Sequence, residues 1–161
     1  MIASALPDTI DLMLLLSQAS HALTTEMTAG LAGVGISPRA HCVLTHALQG
    51  DLTQTRLAEL CALDKTTMVV TLDELEKAGL AQRQPSSTDR RARLVAVTPA
   101  GQRKVDEAHA IVARIYADVL GSLPATERQA LVDGLERLVG GGGRLATPVQ
   151  CDRPVRRPRS R

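Results

Sequence analysis

The chain has 161 residues, of which 44% are hydrophobic and 22% are charged, with a formal net charge of +2. This composition fits one globular domain with a hydrophobic core and excludes a wholly disordered chain. Tyr116 is the only aromatic residue, which argues against β-sandwiches and against folds that stack single-stranded bases on aromatic side chains. A core of Leu, Val and Ala favours helices.

Cysteine content and hydropathy argue against several further classes of protein. Cys42, Cys61 and Cys151 are widely separated and form no CxxC motif, so neither a disulfide framework nor a zinc knuckle is predicted. No apolar run reaches the roughly 18 residues needed to cross a bilayer. No Lys or Arg precedes the apolar run 12–16, so we expect no signal peptide and a cytoplasmic protein without membrane contact.

The N-terminal part of the chain is predicted to be helical. Residues 8–30 favour a first helix, which Gly30 ends. Ser37 followed by Pro38 has the form of an N-cap and a first helical position, so a second helix is predicted over 37–49.

Two further helices and a hairpin follow in the sequence. Thr53 can cap a short helix over TQTRLAEL, and Asp64 can cap a longer helix that ends at Gly79. The segments LAQRQ and ARLVAVT flank the turn-rich stretch 85–89. They predict a two-stranded hairpin with a broad loop.

The C-terminal part begins with a long amphipathic helix. Thr98 and Pro99 open it, and its apolar residues recur at steps of three and four until Gly121. Pro124 starts a last helix, which stops before a run of glycines. Residues 141–161 hold six arginines and one aspartate without periodicity and predict a disordered basic tail, so the preceding 140 residues carry a net charge of −3.

Two short helices followed by a hairpin bearing arginines are the order of a winged helix-turn-helix. The predicted fold class is therefore mainly α with a small β-hairpin wing. The long helices at both ends are too apolar to stay exposed, so we expect them to pack against a second copy in a homodimer. The predicted organisation is an N-terminal dimerisation helix and linker over 8–36, a winged helix-turn-helix lobe over 37–98, C-terminal dimerisation helices over 99–140 and the tail over 141–161.

The segment 53–101 carries several motifs in a fixed order: TQTRLAEL, then LDKTTMVVTLDELEKAGLAQR, then DRRARLVAVTPAG. Through this ordered set, and over roughly residues 10–140, the chain resembles the MarR family of transcriptional regulators. The resemblance implies a homodimer with dimer helices from both ends of the chain. It also implies one DNA-binding lobe per subunit, docked on half of a near-palindromic operator in double-stranded DNA. Two recognition helices would then enter major grooves about 34–36 Å apart.

The fourth predicted helix is the candidate recognition helix. Lys65, Thr66 and Thr67 lie at its N-terminal end, where free N–H groups and the helix dipole favour phosphate, and Val70 and Thr71 follow about one turn later. The alternative is a buried packing helix. Val cannot make a bidentate contact to guanine, but its methyl groups can pack on a thymine methyl. We therefore expect a site read through thymine and shape rather than through guanine.

The wing is the second candidate DNA contact. The resemblance points to Arg91 as the arginine that enters the minor groove, with Asp89 helping to order the loop. An arginine at a hairpin tip is attracted by a narrow A·T minor groove. The alternative is a solvated charged hairpin. The predicted DNA-binding residues are Thr53, Gln54, Lys65, Thr66, Thr67, Val70, Thr71, Arg83, Asp89, Arg90, Arg91 and Arg93.

The resemblance also implies an input that controls DNA binding, by default a small organic effector. A pocket lined by aliphatic residues would need polar anchors, although each candidate could instead have a structural role. The candidate anchors are His21, His41, His109, Arg114 and Tyr116.

A metal or a thiol switch is the alternative input. Cys42 and His46 are four residues apart on one face of the second helix and could share a metal, but tetrahedral zinc needs further ligands. The candidates for these are His41, His109 and Glu26. Cys61 lies in the apolar context LAELCAL and is interpreted as a core residue. We therefore predict no metal site and no redox switch.

The sequence thus predicts a homodimeric, sequence-specific regulator that acts as a repressor and is released from DNA by its effector. The alternatives are a winged-helix module that binds protein, and a regulator gated by metal or by thiol oxidation. The sequence shows no nucleophile–base pair, phosphate-binding glycine loop or metal-ligand motif, so no enzymatic activity, catalytic residue or cofactor is predicted.

Overall fold

The computed structural model of the protein describes residues 10–86, 92–140 and 145. Its elements are mostly helices, with one two-stranded antiparallel sheet. In chain order they are α1 (Leu12–Leu31), α2 (Pro38–Ala47), α3 (Gln54–Leu60), α4 (Lys65–Lys77), β1 (Ala81–Pro85), β2 (Arg93–Val97), α5 (Pro99–Gly121) and α6 (Ala125–Val139). The predicted mainly helical fold with a hairpin wing is confirmed. The predicted basic tail lies outside the described residues, apart from Leu145.

Side-chain caps fix where the helices begin. Ser37, Thr53 and Asp64 each accept a hydrogen bond from the backbone N–H three residues later, at 3.1, 3.1 and 2.9 Å. Thr98 does the same at the start of α5, at 3.1 Å. Gly79 follows α4 with a φ of +68°, the left-handed conformation that favours glycine after a helix. The capping residues predicted from the sequence are confirmed.

The first helix begins later than predicted. The helix α1 starts at Leu12 because the side chain of Asp11 accepts a hydrogen bond from the N–H of Leu14, at 2.9 Å. The expected start near residue 8 lies outside the described residues. The helix α2 ends at Ala47, two residues before the predicted end.

The described residues form two compact units, which are divided between residues 117 and 118. The core of the first unit is formed by residues from α1, α2, α3, α4, both strands and the part of α5 before residue 118. The largest fully buried hydrophobic residues of that core are Leu31, Val43, Leu44, Leu57, Met68 and Leu72. The second unit holds the end of α5 and the helix α6, which contains no buried residue.

Two helices carry large apolar side chains on their surfaces. In the first unit, the N-terminal turn of α1 exposes Leu12, Met13, Leu14 and Leu15. In the second unit, α6 exposes Leu131, Leu135, Leu138 and Val139. Within the described residues, no helix has both the length and the apolar character that crossing a bilayer requires.

The hairpin is anchored beside the start of α3. In the β1–β2 register, Arg83 lies opposite Val95. The N–H of Val95 donates to the carbonyl of Leu52 at 3.1 Å, and Thr53 forms an isolated bridge with Leu94. The residue that caps α3 is therefore attached directly to the second strand of the wing.

Candidate nucleic-acid interface and effector cleft

The N-terminal turns of α4 present an exposed polar surface. Lys65 and Thr66 are exposed, and Val70 is 49% exposed one turn later. The opposite face of the helix is fixed in the core by Met68 and Leu72, which are both fully buried. The alternation of exposed and buried residues orients the predicted DNA-contacting face towards solvent.

Asp64 and Thr67 form a reciprocal cap at the start of α4. The backbone N–H of Thr67 donates to Asp64 Oδ1 at 2.9 Å, and its hydroxyl donates to Asp64 Oδ2 at 2.5 Å. The hydroxyl bond is the main cause of the lowered pKa of Asp64, and backbone N–H groups act in the same direction. Thr67 is half-buried, and the proton of its hydroxyl is held by the cap.

The prediction that Thr71 contacts DNA is wrong. Its side chain is only 1% exposed, and its hydroxyl donates to the carbonyl of Thr67 at 2.8 Å. Thr71 therefore lies on the core side of α4, where a short side chain cannot reach a groove. The sequence pattern placed Thr71 one turn after Thr67, but burial decided which face it occupies.

Arg83, predicted to contact DNA, lies in a network that joins the hairpin to α3 and α4. Its guanidinium is paired with Glu76 and, at 2.7 Å, with Asp73. It also donates to Gln54 Oε1 at 3.1 Å and to the carbonyl of Val69 at 3.2 Å. The side chain is 20% exposed. These contacts give Arg83 a structural role, and Gln54 is its partner on α3.

The remaining residues predicted to contact DNA are found on β2, at the start of α3 and in the segment between the two strands. Arg93 is exposed on β2, and its guanidinium donates to the carbonyl of Ala92 at 3.3 Å. Thr53 is half-buried, and its hydroxyl caps α3. Asp89, Arg90 and Arg91 lie outside the described residues.

A cleft of about 370 Å³ opens between α2 and α5 in the first unit. Three of the five predicted effector anchors, His41, His109 and Tyr116, line it together. The other residues of its lining are Cys42, Thr45, His46, Val105, Val112 and Ala113. Its volume falls within the range of small-molecule pockets.

Two histidines face each other across this cleft. Burial lowers the pKa of His41, and the nearby His109 acts in the same direction. The Nε2 atom of His41 also lies 3.5 Å from the hydroxyl of Thr45. His41 is therefore held neutral at a pH where an ordinary histidine begins to protonate, so its ring can both donate and accept a hydrogen bond.

The other two predicted anchors do not line the cleft. His21 and Arg114 are exposed on α1 and α5 respectively. Periodicity placed Arg114 on the same helix as His109 and Tyr116, but it could not tell which side of the helix meets α2.

Cys61, interpreted as a core residue, packs against the core but is not fully buried. Cys61 is half-buried, and its Sγ lies 4.0 Å from Nδ1 of His46. The Sγ of Cys42 lies 3.8 Å from the same nitrogen, and these three atoms all lie within 4.8 Å of one another. The spacing of Cys42 and His46 was visible in the sequence, but the approach of Cys61 depends on the packing of α2 against α3.

The two thiols share one hydrogen bond. A hydrogen bond from the Cys61 thiol lowers the pKa of Cys42 to about 6, with His46 acting in the same direction and burial opposing. The same bond, together with burial, raises the pKa of Cys61. In the described residues, Cys42 is therefore the more acidic of the pair.

Comparison with known proteins shows which family this architecture is similar to. The model of the MarR family matches residues 34–92, which include α2, α3, α4 and β1 and end just before β2. A MarR-family transcriptional regulator from Rhodococcus sp. RHA1 is 27% identical, with a TM-score of 0.75 over 83% of this chain and 95% of that one.

Two further solved structures are similar over most of their length. CouR from Rhodococcus jostii RHA1, bound to p-coumaroyl-CoA, is 28% identical, with a TM-score of 0.72 over 87% of this chain and 96% of that one. A probable transcriptional regulator from Pseudomonas aeruginosa is 29% identical, with a TM-score of 0.73 over 80% of this chain and 96% of that one. Residues 34–92 therefore match the MarR family, and the fold is that of winged helix-turn-helix transcriptional regulators.

Proposed function

We propose that the chain is a homodimeric repressor that binds a near-palindromic operator in double-stranded DNA in the cytoplasm. The observation that carries this proposal is the exposed N-terminal face of α4, with Lys65, Thr66 and Val70 on a helix whose other side is buried. The positive end of a helix dipole and its free N–H groups favour a phosphate at this position. Val70 then packs on base edges in the major groove.

The wing supplies the second contact in this proposal. Arg91 enters the adjacent minor groove, with Asp89, Arg90 and Arg93 beside it. Arg83 holds the wing against α4 through its pairs with Asp73 and Glu76 instead of contacting DNA. A fixed angle between helix and wing lets both reach adjacent grooves at once.

Two lysines at opposite ends of α4 test the proposal. Lys65→Ala removes a charge from the proposed DNA-contacting end, and Lys77→Ala removes the same charge from the other end of the helix, about 18 Å away. In fluorescence anisotropy with DNA from upstream of the protein's own gene, Lys65→Ala should weaken binding. It should also reduce the slope of log K against log salt by about one, while Lys77→Ala changes neither. Equal effects of the two variants would contradict the proposed orientation.

Thr66 and Thr71 provide a second matched pair on the same helix. Thr66 is exposed and Thr71 is buried, so Thr66→Val should weaken operator binding while Thr71→Val leaves it within about twofold. The reverse order of affinities would show that another face of α4 meets the DNA.

We further propose that a small organic acid binds the cleft between α2 and α5 and releases the protein from DNA. Val105, Val112 and Ala113 provide apolar walls, and the rings of His41 and His109 provide hydrogen bonds for a carboxylate. CouR, which shares this fold, binds p-coumaroyl-CoA, an acyl thioester. The ligand releases DNA only through its different affinities for the free and bound forms, typically about 1–3 kcal/mol.

A panel of aromatic carboxylic acids in the same anisotropy assay tests the effector proposal. At least one should release the wild type from its operator, and His109→Ala should bind DNA normally but resist release. His21→Ala, outside the cleft lining, is the control and should respond like the wild type. A His109→Ala variant that is released at the wild-type concentration would contradict the assignment of this cleft.

A further inference from the structure

We propose that Cys42, His46 and Cys61 form a binding site for a thiophilic metal ion, with zinc as the prototype. The site does not depend on the proposed effector or on DNA binding. It joins α2, which carries Cys42 and His46, to the end of α3, where Cys61 is the C-cap residue. The two helices pack against each other in the core of the first unit.

The spacing of the three side chains suits tetrahedral coordination. With zinc–sulfur bonds of about 2.3 Å and zinc–nitrogen bonds of about 2.0 Å, neighbouring ligand atoms lie about 3.6–3.8 Å apart. The distances from His46 Nδ1 to the sulfurs of Cys42 and Cys61 are 3.8 and 4.0 Å. The two nitrogen–sulfur distances are therefore within a few tenths of an ångström of those in a tetrahedral site.

The chemistry of the ligands selects the class of metal. Two thiolates and one imidazole are the donors that zinc and cuprous ions prefer over magnesium or calcium. Cys42 and His46 also line the cleft between α2 and α5, so a fourth ligand can reach the ion from solvent. Three protein ligands and one open position describe an exchangeable site rather than a closed structural one.

Metal binding requires one local rearrangement. Nδ1 of His46 lies 2.9 Å from the carbonyl of Cys42 and donates its proton there. To coordinate through Nδ1, the ring must turn away from this carbonyl and carry its proton on Nε2. Both sulfurs must coordinate as thiolates, so metal uptake releases a proton from each thiol that is still protonated at the working pH.

Cobalt(II), a spectroscopic substitute for zinc, gives a direct test. The reduced, metal-free protein should bind one cobalt ion per chain, with a sulfur-to-cobalt charge-transfer band in the near ultraviolet and the visible bands of tetrahedral cobalt. Zinc should displace it. Cys61→Ser should reduce the charge-transfer intensity per bound ion by about half and weaken affinity by at least about tenfold, the scale at which even outer-shell groups act.

Control variants separate this site from other donors on the chain. Cys151→Ser should leave the spectrum unchanged, as should His109→Gln in the same cleft. His46→Gln should weaken cobalt binding and keep both thiolate bands, while circular dichroism checks that each variant is folded. The proposal is overturned if cobalt gives no charge-transfer band, if Cys61→Ser leaves affinity unchanged, or if Cys151→Ser abolishes the signal. It is also overturned if mild peroxide converts Cys42 and Cys61 into a disulfide in a protein that takes up no metal.

Discussion

At the scale of single residues, Arg83 is the strongest polar link between the wing and the helices. One guanidinium contacts side chains from α3 and α4 and a backbone carbonyl of α4. With 20% of the side chain exposed, these bonds form away from most of the solvent. Removing Arg83 would leave Glu76, itself 34% exposed, without its cation.

We expect Arg83→Ala to lower the free energy of unfolding by about 2 kcal/mol, because hydrogen bonds to charged groups contribute more than neutral ones. Urea denaturation measures this loss. Arg56→Ala is the control, since the side chain of Arg56 forms an exposed pair with Glu59 and should lose less than about 0.5 kcal/mol. Equal losses in the two variants would contradict the structural role of Arg83.

His41 should make stability depend on pH. Its pKa in the folded chain is lowered from the ordinary 6.5 by burial and by His109, so the unfolded chain takes up a proton more readily. The stabilising effect is therefore complete above pH 6.5 and is lost as the pH falls through the pKa of the folded state.

Urea unfolding between about pH 7.5 and about pH 5.5 tests this sign. The wild type should lose stability as the solution is acidified, and His41→Gln should lose less over the same interval. His21→Gln, a substitution on the exposed surface of α1, should behave like the wild type. A steeper loss in His41→Gln would contradict the expected direction.

At the scale of elements, Gly101 lets α5 pack closely on Leu80, in the connection between α4 and β1, and on Val97 of β2. A Cβ atom at this position would lie 2.0 Å from the carbonyl oxygen of Leu80 and 2.8 Å from Cγ1 of Val97. The same carbonyl accepts a hydrogen bond from the N–H of Thr98 at 3.0 Å. The connection between the hairpin and α5 therefore has no room for a methyl group.

We expect Gly101→Ala to destabilise the protein by about 3 kcal/mol, because overpacking here displaces backbone as well as side chain. Gly33→Ala is the control, since a Cβ at Gly33 meets nothing within 4 Å. Thermal unfolding followed by circular dichroism compares the two. A midpoint for Gly101→Ala equal to that of Gly33→Ala would contradict the close packing.

Elements were predictable from the sequence where a local signal marks them. Ser37, Thr53, Asp64 and Thr98 were recognised as caps because a short polar side chain precedes each helical pattern. Such signals act over three or four residues. They locate the start of a helix without information about the rest of the fold.

Contacts between elements were not predictable in this way. Arg83 and Gln54 are 29 residues apart, and Cys61 and His46 are 15 apart, so no local pattern relates them. Thr71 shows the same limit, because hydrophobic periodicity did not assign a threonine to the core side of α4. The sequence therefore located Lys65, Thr66 and Val70, which are exposed at the start of α4, but it missed groups that tertiary packing brings together.

At the scale of the whole molecule, exposed apolar surfaces favour a dimer. On α6, Leu131, Leu135 and Leu138 recur at the spacing of one helical face, and each is at least 37% exposed. The first turn of α1 is equally apolar, with Met13 78% exposed. Large exposed apolar surfaces on these helices are explained most simply by a second copy.

Light scattering coupled to gel filtration tests the dimer. The protein should have twice the 17.1 kDa mass of the chain, and Leu135→Glu should shift it towards the monomer because a charge cannot be buried in the interface without a partner. Leu48→Glu is the matched control, since Leu48 and Leu135 are both 38% exposed. A monomeric wild type would contradict the proposed assembly.

The match of residues 34–92 to a family of DNA-binding transcriptional regulators agrees with the prediction that the chain is not an enzyme. The proposed function as a regulator depends on sequence-specific recognition of DNA. Specific regulators bind their sites about 10³-fold or more tightly than random DNA at physiological salt. A solvated charged wing or a protein-binding module would show no such preference.

The most direct measurement is therefore the affinity of the wild-type protein for DNA from upstream of its own gene, compared with its affinity for random DNA of equal length. Fluorescence anisotropy measures both affinities over a range of salt concentrations. We predict a specificity ratio of about 10³ or more, with a steep decrease of affinity as salt rises. The assay can be repeated with DNA from the other intergenic regions of the genome. Weak binding that never exceeds the binding to random DNA would contradict sequence-specific recognition.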